Sequence, residues 1–335
     1  MSAFPWAPAG VAFALGVALT PLVLRAARRW GLLDRPNERS SHSRVTPRGG
    51  GLAVALALAG ALAVAGTGGP RGAVFLAGAF GMALLGLCDD RFSLPVLPRL
   101  AAQALVALFV AWSLGGLVKL PLPPPLDLSV GPMGVPLAAL WIVAVVNFYN
   151  FLDGIDGLAG LQGVVTGAGI ALAAWDPFAS AFGAATAGAC LAFLLFNWSP
   201  ARLFLGDVGS LLLGYTFASL PLLAPSGARG DSVLLMALSL WLFLADATWT
   251  RLILIAQRPR WYAPHREHLY QRLVASGWSH ARAASLIGAG SVLLTAAGLL
   301  AVRRAEPAAA WAVLGLATAL FLAELGAARW REARP

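Results

Sequence analysis

Long apolar runs follow one another along the whole of this chain, and that pattern leaves room for few folds other than a bundle in a membrane. Mean hydropathy is +0.76, 59% of the 335 residues are hydrophobic and 12% are charged. A soluble domain of this length carries about 25% charged residues. The runs lie near 3–24, 50–67, 72–88, 100–118, 136–150, 158–174, 178–196, 209–224, 232–256, 282–302 and 307–328. Each approaches the ~20 residues that a helix needs to cross a bilayer core. The expected fold is therefore all-α, a polytopic transmembrane helix bundle of eleven spans (ten if one run does not cross). Only about a third of the chain is left for loops, so residues 1–335 read as a single integral membrane domain.

Nothing before Phe13 is charged, so the first run lacks a basic n-region and reads as a retained helix rather than a cleaved signal peptide. Cys88 and Cys190 each fall inside or at the end of a run, which gives no disulfide framework.

The formal charge of +9 would suit a nucleic-acid partner if it were gathered on a soluble face, but it alternates with the loops. Arg25, Arg28, Arg29, Arg35, Arg39, Arg44 and Arg48 follow the first run. Arg258, Arg260, Arg266 and Arg272 follow the ninth, and Arg329, Arg331 and Arg334 follow the last. The intervening loops hold Arg71, Lys119, Arg229, Arg303 and Arg304. By the positive-inside rule the N-terminus lies outside and the C-terminus in the cytoplasm. The charge reports topology and attraction to anionic lipids, with no nucleic-acid partner.

On that topology Asp34, Glu38, Asp89, Asp90, Asp153, Asp156, Asp207 and Glu267 share the cytoplasmic side with His42, His265, His268 and His280. Asp89 and Asp90 end the third run in GLCDDRF, where adjacent carboxylates resist joint ionisation unless a cation is near; Arg91 is a candidate partner. In NFYNFLDGIDGLAG, Asn147, Asn150, Asp153 and Asp156 recur every three residues. Neighbours among them share a helical face, but all four share one only if the backbone unwinds. Gly154, Gly157 and Gly160 make unwinding, and close approach to a phosphate, sterically easy.

Asp207 stands in a Gly-flanked turn of PARLFLGDVGS and is the best single ligand for Mg²⁺, which takes few protein oxygens; Asn150 could add a neutral one. The cytoplasmic loop 257–281 carries PHREHLYQRL, in which His265, Arg266 and His268 suit phosphate or uracil better than zinc. The first cytoplasmic loop, DRPNERSSHSRVTPRGGG, contains Arg48 and could hold anions on N–H donors where the second run begins. Asp246 lies in or near the inner end of the ninth run, a costly place for a charge, with its partner expected from another helix.

Taken in order, RSSH with PRGGG, the Asp89–Asp90 pair, NFLDGIDGLAG, PARLFLGDVGS and PHREHLYQRL cover residues 34–272. The chain resembles the polyprenyl-phosphate N-acetylhexosamine-1-phosphate transferases, glycosyl transferase family 4, the superfamily that includes phospho-N-acetylmuramoyl-pentapeptide translocase. The resemblance implies ten or eleven transmembrane helices with a cytoplasmic active-site cleft in a bacterial inner membrane. It implies Mg²⁺ (with Mn²⁺ as a substitute), a UDP-linked amino sugar as donor, undecaprenyl phosphate as acceptor and release of UMP; a homodimer is compatible with it. By position, Asp89, Asp90, Asp153 and Asp156 are expected to be catalytic, and Asp207 and Asn150 to bind the metal. Asn147, Arg48, Asp246, His265, Arg266 and His268 are expected to bind substrate.

The sequence His265-Arg266-Glu267-His268 replaces the run of histidines that the translocase branch carries. That points to an enzyme initiating O-antigen, exopolysaccharide or related envelope glycan. A lipid-phosphate oxygen would attack the β-phosphorus of the UDP-sugar in a single displacement; a two-step route through an aspartyl nucleophile is the alternative. A transporter or lipid flippase, the rival from another class, would place its ionisable residues along a mid-membrane path, whereas here they gather at one end.

Overall fold

The computed structural model describes residues 6–36, 44–257 and 267–332. These form α1 (Ala7–Arg29), α2 (Gly50–Ala65), α3 (Gly69–Phe92), α4 (Val96–Leu114), α5 (Gly134–Leu152), α6 (Leu158–Ala173), α7 (Pro177–Asn197), α8 (Gly206–Ser219), α9 (Arg229–Ser239), α10 (Trp241–Gln257), α11 (Leu269–Ala275), α12 (His280–Arg304) and α13 (Pro307–Glu332). Two short antiparallel strands, β1 (Leu33–Asp34) and β2 (Thr46–Pro47), cover one end of the bundle.

Each of the eleven apolar runs is helical. Among the described residues, eight helices are long and apolar enough to cross a membrane, or nine if one bent pair counts as a span. Helices α2 and α6 are apolar but shorter, at 16 residues each. At 1.5 Å per residue that gives ~24 Å, short of a ~30 Å hydrocarbon core.

The expected single span over 232–256 is corrected. It is broken at Leu240 into two segments bent by 72°. At the break the Ser239 carbonyl accepts from Gln162 Nε2 at 2.8 Å, a side-chain insertion of the kind that kinks helices. Gln162 also meets Thr166 and Ser291, and Thr295 donates to Ser239 Oγ. These polar residues on α6, α9 and α12 satisfy one another where no water would, and so hold the three helices in register.

Helices α7 and α8 form the centre, with α1, α2 and α6 packed on α7 and with α2, α3 and α5 packed on α8. The small residues of FASAFGAATAGAC let backbones approach α7 closely; at Gly188 a Cβ would fall on the Ala9 carbonyl. The periphery is apolar, with Phe80, Leu105, Trp112 and Leu140 all strongly exposed. Lipid is the solvent such a surface requires.

Candidate active site

The C-termini of α3 and α5 and the N-termini of α2 and α8 meet at the end of the bundle that carries β1 and β2. The segment before α8 runs alongside β2: Phe204 N–H donates to Pro47 O at 2.9 Å, and Arg48 forms a parallel bridge with Phe204. Gly50 and Gly51 N–H then donate to the carbonyls of Phe204 and Leu205, at 2.8 and 2.7 Å. The start of α2 therefore does not offer those donors to an anion, contrary to expectation, because they fasten α2 to the approach of α8. The triple glycine serves this packing, since a Cβ on Gly51 would land on the backbone of Gly209.

Asp89 and Asp90 close α3 but point to different neighbours. Asp89 accepts from Leu94 N–H at 2.8 Å and from Arg99 Nη1 at 2.6 Å. Its ion partner is Arg99, one helix on, and not Arg91, whose guanidinium lies over Phe92. Both Asp89 oxygens are thus engaged in the α3–α4 turn. Asp90 accepts from Val208 N–H at 3.1 Å through Oδ2 and so caps α8. Gly206, at φ +75°, brings the chain past that carboxylate, and a Cβ there would sit 2.8 Å from Oδ2.

Asp207 occupies the first turn of α8 itself, not a loop ahead of it, where the positive end of the helix favours an anion. Its Oδ1 accepts from Asn150 Nδ2 at 2.6 Å, and the same amide donates to Ser210 Oγ at 2.8 Å. Asn150 thus presents its nitrogen to Asp207 and Ser210.

Asn147 faces away from this group, donating to Gln103 Oε1 at 2.6 Å and tying α5 to α4. The helix ends at Leu152, so the backbone does leave helical geometry before the two aspartates. Burial pushes the Asp153 carboxyl up to about 8, with the negative charges of Asp207, Asp90 and Asp34 adding to the shift. Asp156 turns elsewhere, accepting from Ala201 N–H at 3.0 Å and meeting His280 Nδ1 at 3.3 Å. Burial works against its charge, but the His280 and Ala201 contacts prevail and hold the carboxyl below its ordinary range. Asp156 therefore fastens the α5–α6 turn to the loop before α8 and to the start of α12.

Asp246 is buried and has partners on its own helix and, as expected, on another, α11. Thr250, one turn on in α10, donates to Oδ1 at 3.0 Å, and Leu269 N–H reaches both oxygens at 3.0 Å. His268 is only 4% exposed; it caps α11, lies 3.5 Å from Asp246 and stacks against Tyr270 and Phe151. His265 and Arg266 lie outside the described residues. Arg99 and His280 had no motif of their own in the sequence, and only helix packing pairs them with Asp89 and Asp156; Ser210 ends PARLFLGDVGS and meets the Asn150 amide.

Among the described residues no three of His, Cys, Asp or Glu stand close enough to encircle a metal ion. Mg²⁺ does not require that, because it binds through one or two carboxylates with waters and substrate phosphates completing the shell. The residues fit such an ion electrostatically. Burial raises the Asp153 carboxyl most, the charges of Asp207, Asp90 and Asp34 add to that, and a divalent cation would relieve their repulsion of Asp153.

The sequence profile of glycosyl transferase family 4 matches residues 73–224, which run from α3 into the segment after α8. A probable undecaprenyl-phosphate N-acetylglucosaminyl 1-phosphate transferase of Bacillus subtilis is 33% identical over 269 residues, covering 78% of this chain and 75% of the relative. The decaprenyl-phosphate N-acetylglucosaminephosphotransferase of Mycobacterium tuberculosis is 32% identical, covering 78% and 73%. A phospho-N-acetylmuramoyl-pentapeptide-transferase of Heliobacterium modesticaldum is 32% identical over a shorter match, 64% of this chain and 73% of the relative.

Proposed function

This chain belongs to glycosyl transferase family 4 and is a membrane phosphoglycosyltransferase; we propose that it transfers an N-acetylhexosamine-1-phosphate from a UDP-sugar to undecaprenyl phosphate, releasing UMP. The reaction is Mg²⁺-dependent, faces the cytoplasm, and initiates O-antigen, exopolysaccharide or a related envelope glycan. The two carboxylates set at the start of α8, Asp207 held by Asn150 and Asp90 by Val208 N–H, carry the proposal. They are a concentration of negative charge suited to a cation and, through the cation, to a pyrophosphate.

Asp207, steadied by Asn150, would hold Mg²⁺. When bound, the cation supplies neutralisation of the donor's pyrophosphate charge. The remaining demands fall on the protein. A phosphate monoester has a second pKa near ~6, so the acceptor oxygen is largely ionised at neutral pH and needs little help from a base. The harder task is to bring two anions together in line, which depends on fixed donors and cations set in advance. Asp89–Arg99 and Asp156–His280 fasten the loops that bear the central carboxylates, and so act as positioning residues. A single displacement needs nothing further from the chain.

Purified protein in lipid nanodiscs, given undecaprenyl phosphate and a panel of radiolabelled UDP-sugars, should release UMP with a UDP-N-acetylhexosamine and not with UDP-MurNAc-pentapeptide. EDTA should abolish turnover and Mg²⁺ restore it. Turnover that survives EDTA removes the cation from the proposal, and absence of any lipid-linked product removes the reaction.

A further inference from the structure

A cleft opens between the C-termini of α1 and α3, lined also by the start of α2. It encloses about 330 Å³, near the lower end of the ~300–1,000 Å³ of small-ligand sites. Val23, Ala27, Leu52 and Leu87, each a turn or more inside its helix end, make the deeper walls apolar. Trp30 and Phe92 stand at the helix ends, 66% and 71% exposed, where the hydrocarbon of a membrane gives way to its headgroups.

A more open concavity of about 370 Å³ adjoins the cleft and shares Ala26 and Trp30 with it. Arg25 and Arg29 complete its lining; four residues apart, they are neighbours on one face of α1. On the α3 side Arg91 lines the cleft itself, with its guanidinium over the Phe92 ring. Among the described residues none of these three arginines makes an ion pair. Arg48 and Asp90 also line the cleft, but they are occupied with each other: Arg48 Nη2 donates to the Asp90 carbonyl at 2.9 Å. The uncompensated positive charge therefore stands at the mouth, on α1 and α3, and the apolar surface stands below it.

A ligand for this arrangement must bring hydrocarbon to the walls and negative charge to the mouth. A soluble anion alone would leave the apolar walls facing water. An anionic phospholipid offers both parts in one molecule. Its phosphodiester can accept from Arg25 and Arg29 in the forked geometry that guanidinium favours, while one acyl chain enters between α1 and α3. A zwitterionic lipid carries the same phosphate but adds an ammonium, which three unpaired arginines repel. We infer that the cleft and the concavity together bind an anionic phospholipid from the leaflet at the carboxylate end of the bundle. This lipid is neither donor nor acceptor in the transfer reaction, and the site stands or falls without that reaction.

Cys88 lines the cleft, while Cys190 is fully buried, so one native thiol reports on occupancy. Protein in nanodiscs of phosphatidylcholine, with or without phosphatidylglycerol, is labelled with a small uncharged maleimide; Cys88→Ala gives the background. One basic side chain near an anionic lipid surface is worth roughly fivefold in affinity. Phosphatidylglycerol should accordingly slow labelling at least fivefold, and inorganic phosphate should not. Arg25→Gln combined with Arg29→Gln should abolish the protection and leave the rate in pure phosphatidylcholine within twofold. Arg329→Gln combined with Arg331→Gln removes the same charge from the same end of the bundle, at α13, and should keep the protection.

Thermal unfolding in the same nanodiscs is the second readout. Phosphatidylglycerol should raise the Tm of the wild type and of the α13 variant, and leave that of the α1 variant unchanged. Equal labelling of the wild type in both lipids would reject the site. Protection that survives the loss of Arg25 and Arg29 would be an effect of membrane surface charge on the thiol, and would overturn the assignment. Protection by undecaprenyl phosphate and none by phosphatidylglycerol would give the cleft to the acceptor and overturn it equally. UMP release enters neither readout, so failure of the proposed reaction would leave the lipid site intact, and the reverse.

Discussion

Asn150 and Asp207 join two helices that are far apart in sequence, with the amide nitrogen 2.6 Å from a carboxylate oxygen at the first turn of α8. The bond aims one Asp207 oxygen and leaves the negative charge of the carboxylate in place. Asp207→Asn preserves shape and removes that charge. It should leave the protein folded and membrane-inserted but lower UMP release at least 100-fold, given that ~1.4 kcal/mol of transition-state stabilisation is tenfold in rate. Asn150→Ala should lower it less, since the charge remains and only its aim is lost. If Asp207→Asn keeps most of its activity, the carboxylate group is not the catalytic centre.

The two adjacent aspartates should separate in experiment. Asp89 is committed to Leu94 N–H and Arg99, so Asp89→Asn is expected mainly to loosen the α3–α4 turn. Breaking a buried pair costs about 3–5 kcal/mol, and Arg99 is 21% exposed, so a loss of ~1–3 kcal/mol is expected. Arg99→Gln should cost a similar amount, and the double variant little more than either alone. Asp90→Asn should instead reduce turnover with a smaller change in Tm. Thermal unfolding and UMP release on the same preparations distinguish the two, and equal effects on both readouts would show that the pair acts as one unit.

The bundle and its working end were legible in the sequence because apolar runs and charge alternation are local signals, and each run did become helix. The break at Leu240 was not, because its cause is Gln162, a residue on another helix that takes up the Ser239 carbonyl. The aspartates at 89, 90, 153, 156 and 207 could be found from spacing, but spacing could not sort them. Asp90 and Asp207 are held at the start of α8 by Val208 N–H and Asn150, while Asp89 and Asp156 turn to Arg99 and His280. His268 suggested a phosphate or uracil contact by its imidazole, and Asp246 a functional charge by its place near a membrane end; that the two also meet at the start of α11 had no sign in the sequence, because the contact joins α10 to the loop after it.

Asp156 gives a pH dependence of known sign. Its folded carboxyl titrates below its ordinary value, so its contribution to stability is complete above the unfolded pKa of ~3.9 and is lost as pH falls through the folded value. Asp156→Asn should therefore destabilise the protein at pH 7 and pH 5, and the gap from wild type should narrow at pH 3. Thermal unfolding in detergent at the three pH values is sufficient. A gap that stays constant down to pH 3 would mean that the loss is one of packing rather than of charge.

The orientation of the bundle is testable at its two ends. Arg25, Arg28, Arg29, Arg329 and Arg331 lie at the end that carries the carboxylates, where α1 and α13 finish. The other end holds the loop of the Lys119–Asp127 ion pair, tied to α13 by Trp311 Nε1 donating to Pro124 O at 2.9 Å, and the Arg303–Arg304 finish of α12. By the positive-inside rule the first end should face the cytoplasm. A cysteine at Leu126, exposed in the outer loop, should therefore react with an impermeant maleimide in intact cells. One at Ala275, exposed at the end of α11, should react only after permeabilisation. The native thiols should not interfere, since Cys190 is fully buried and Cys88 opens toward the cytoplasmic end. The opposite labelling pattern would place the carboxylate group outside, away from any cytoplasmic nucleotide sugar, and with it the proposed donor would fail.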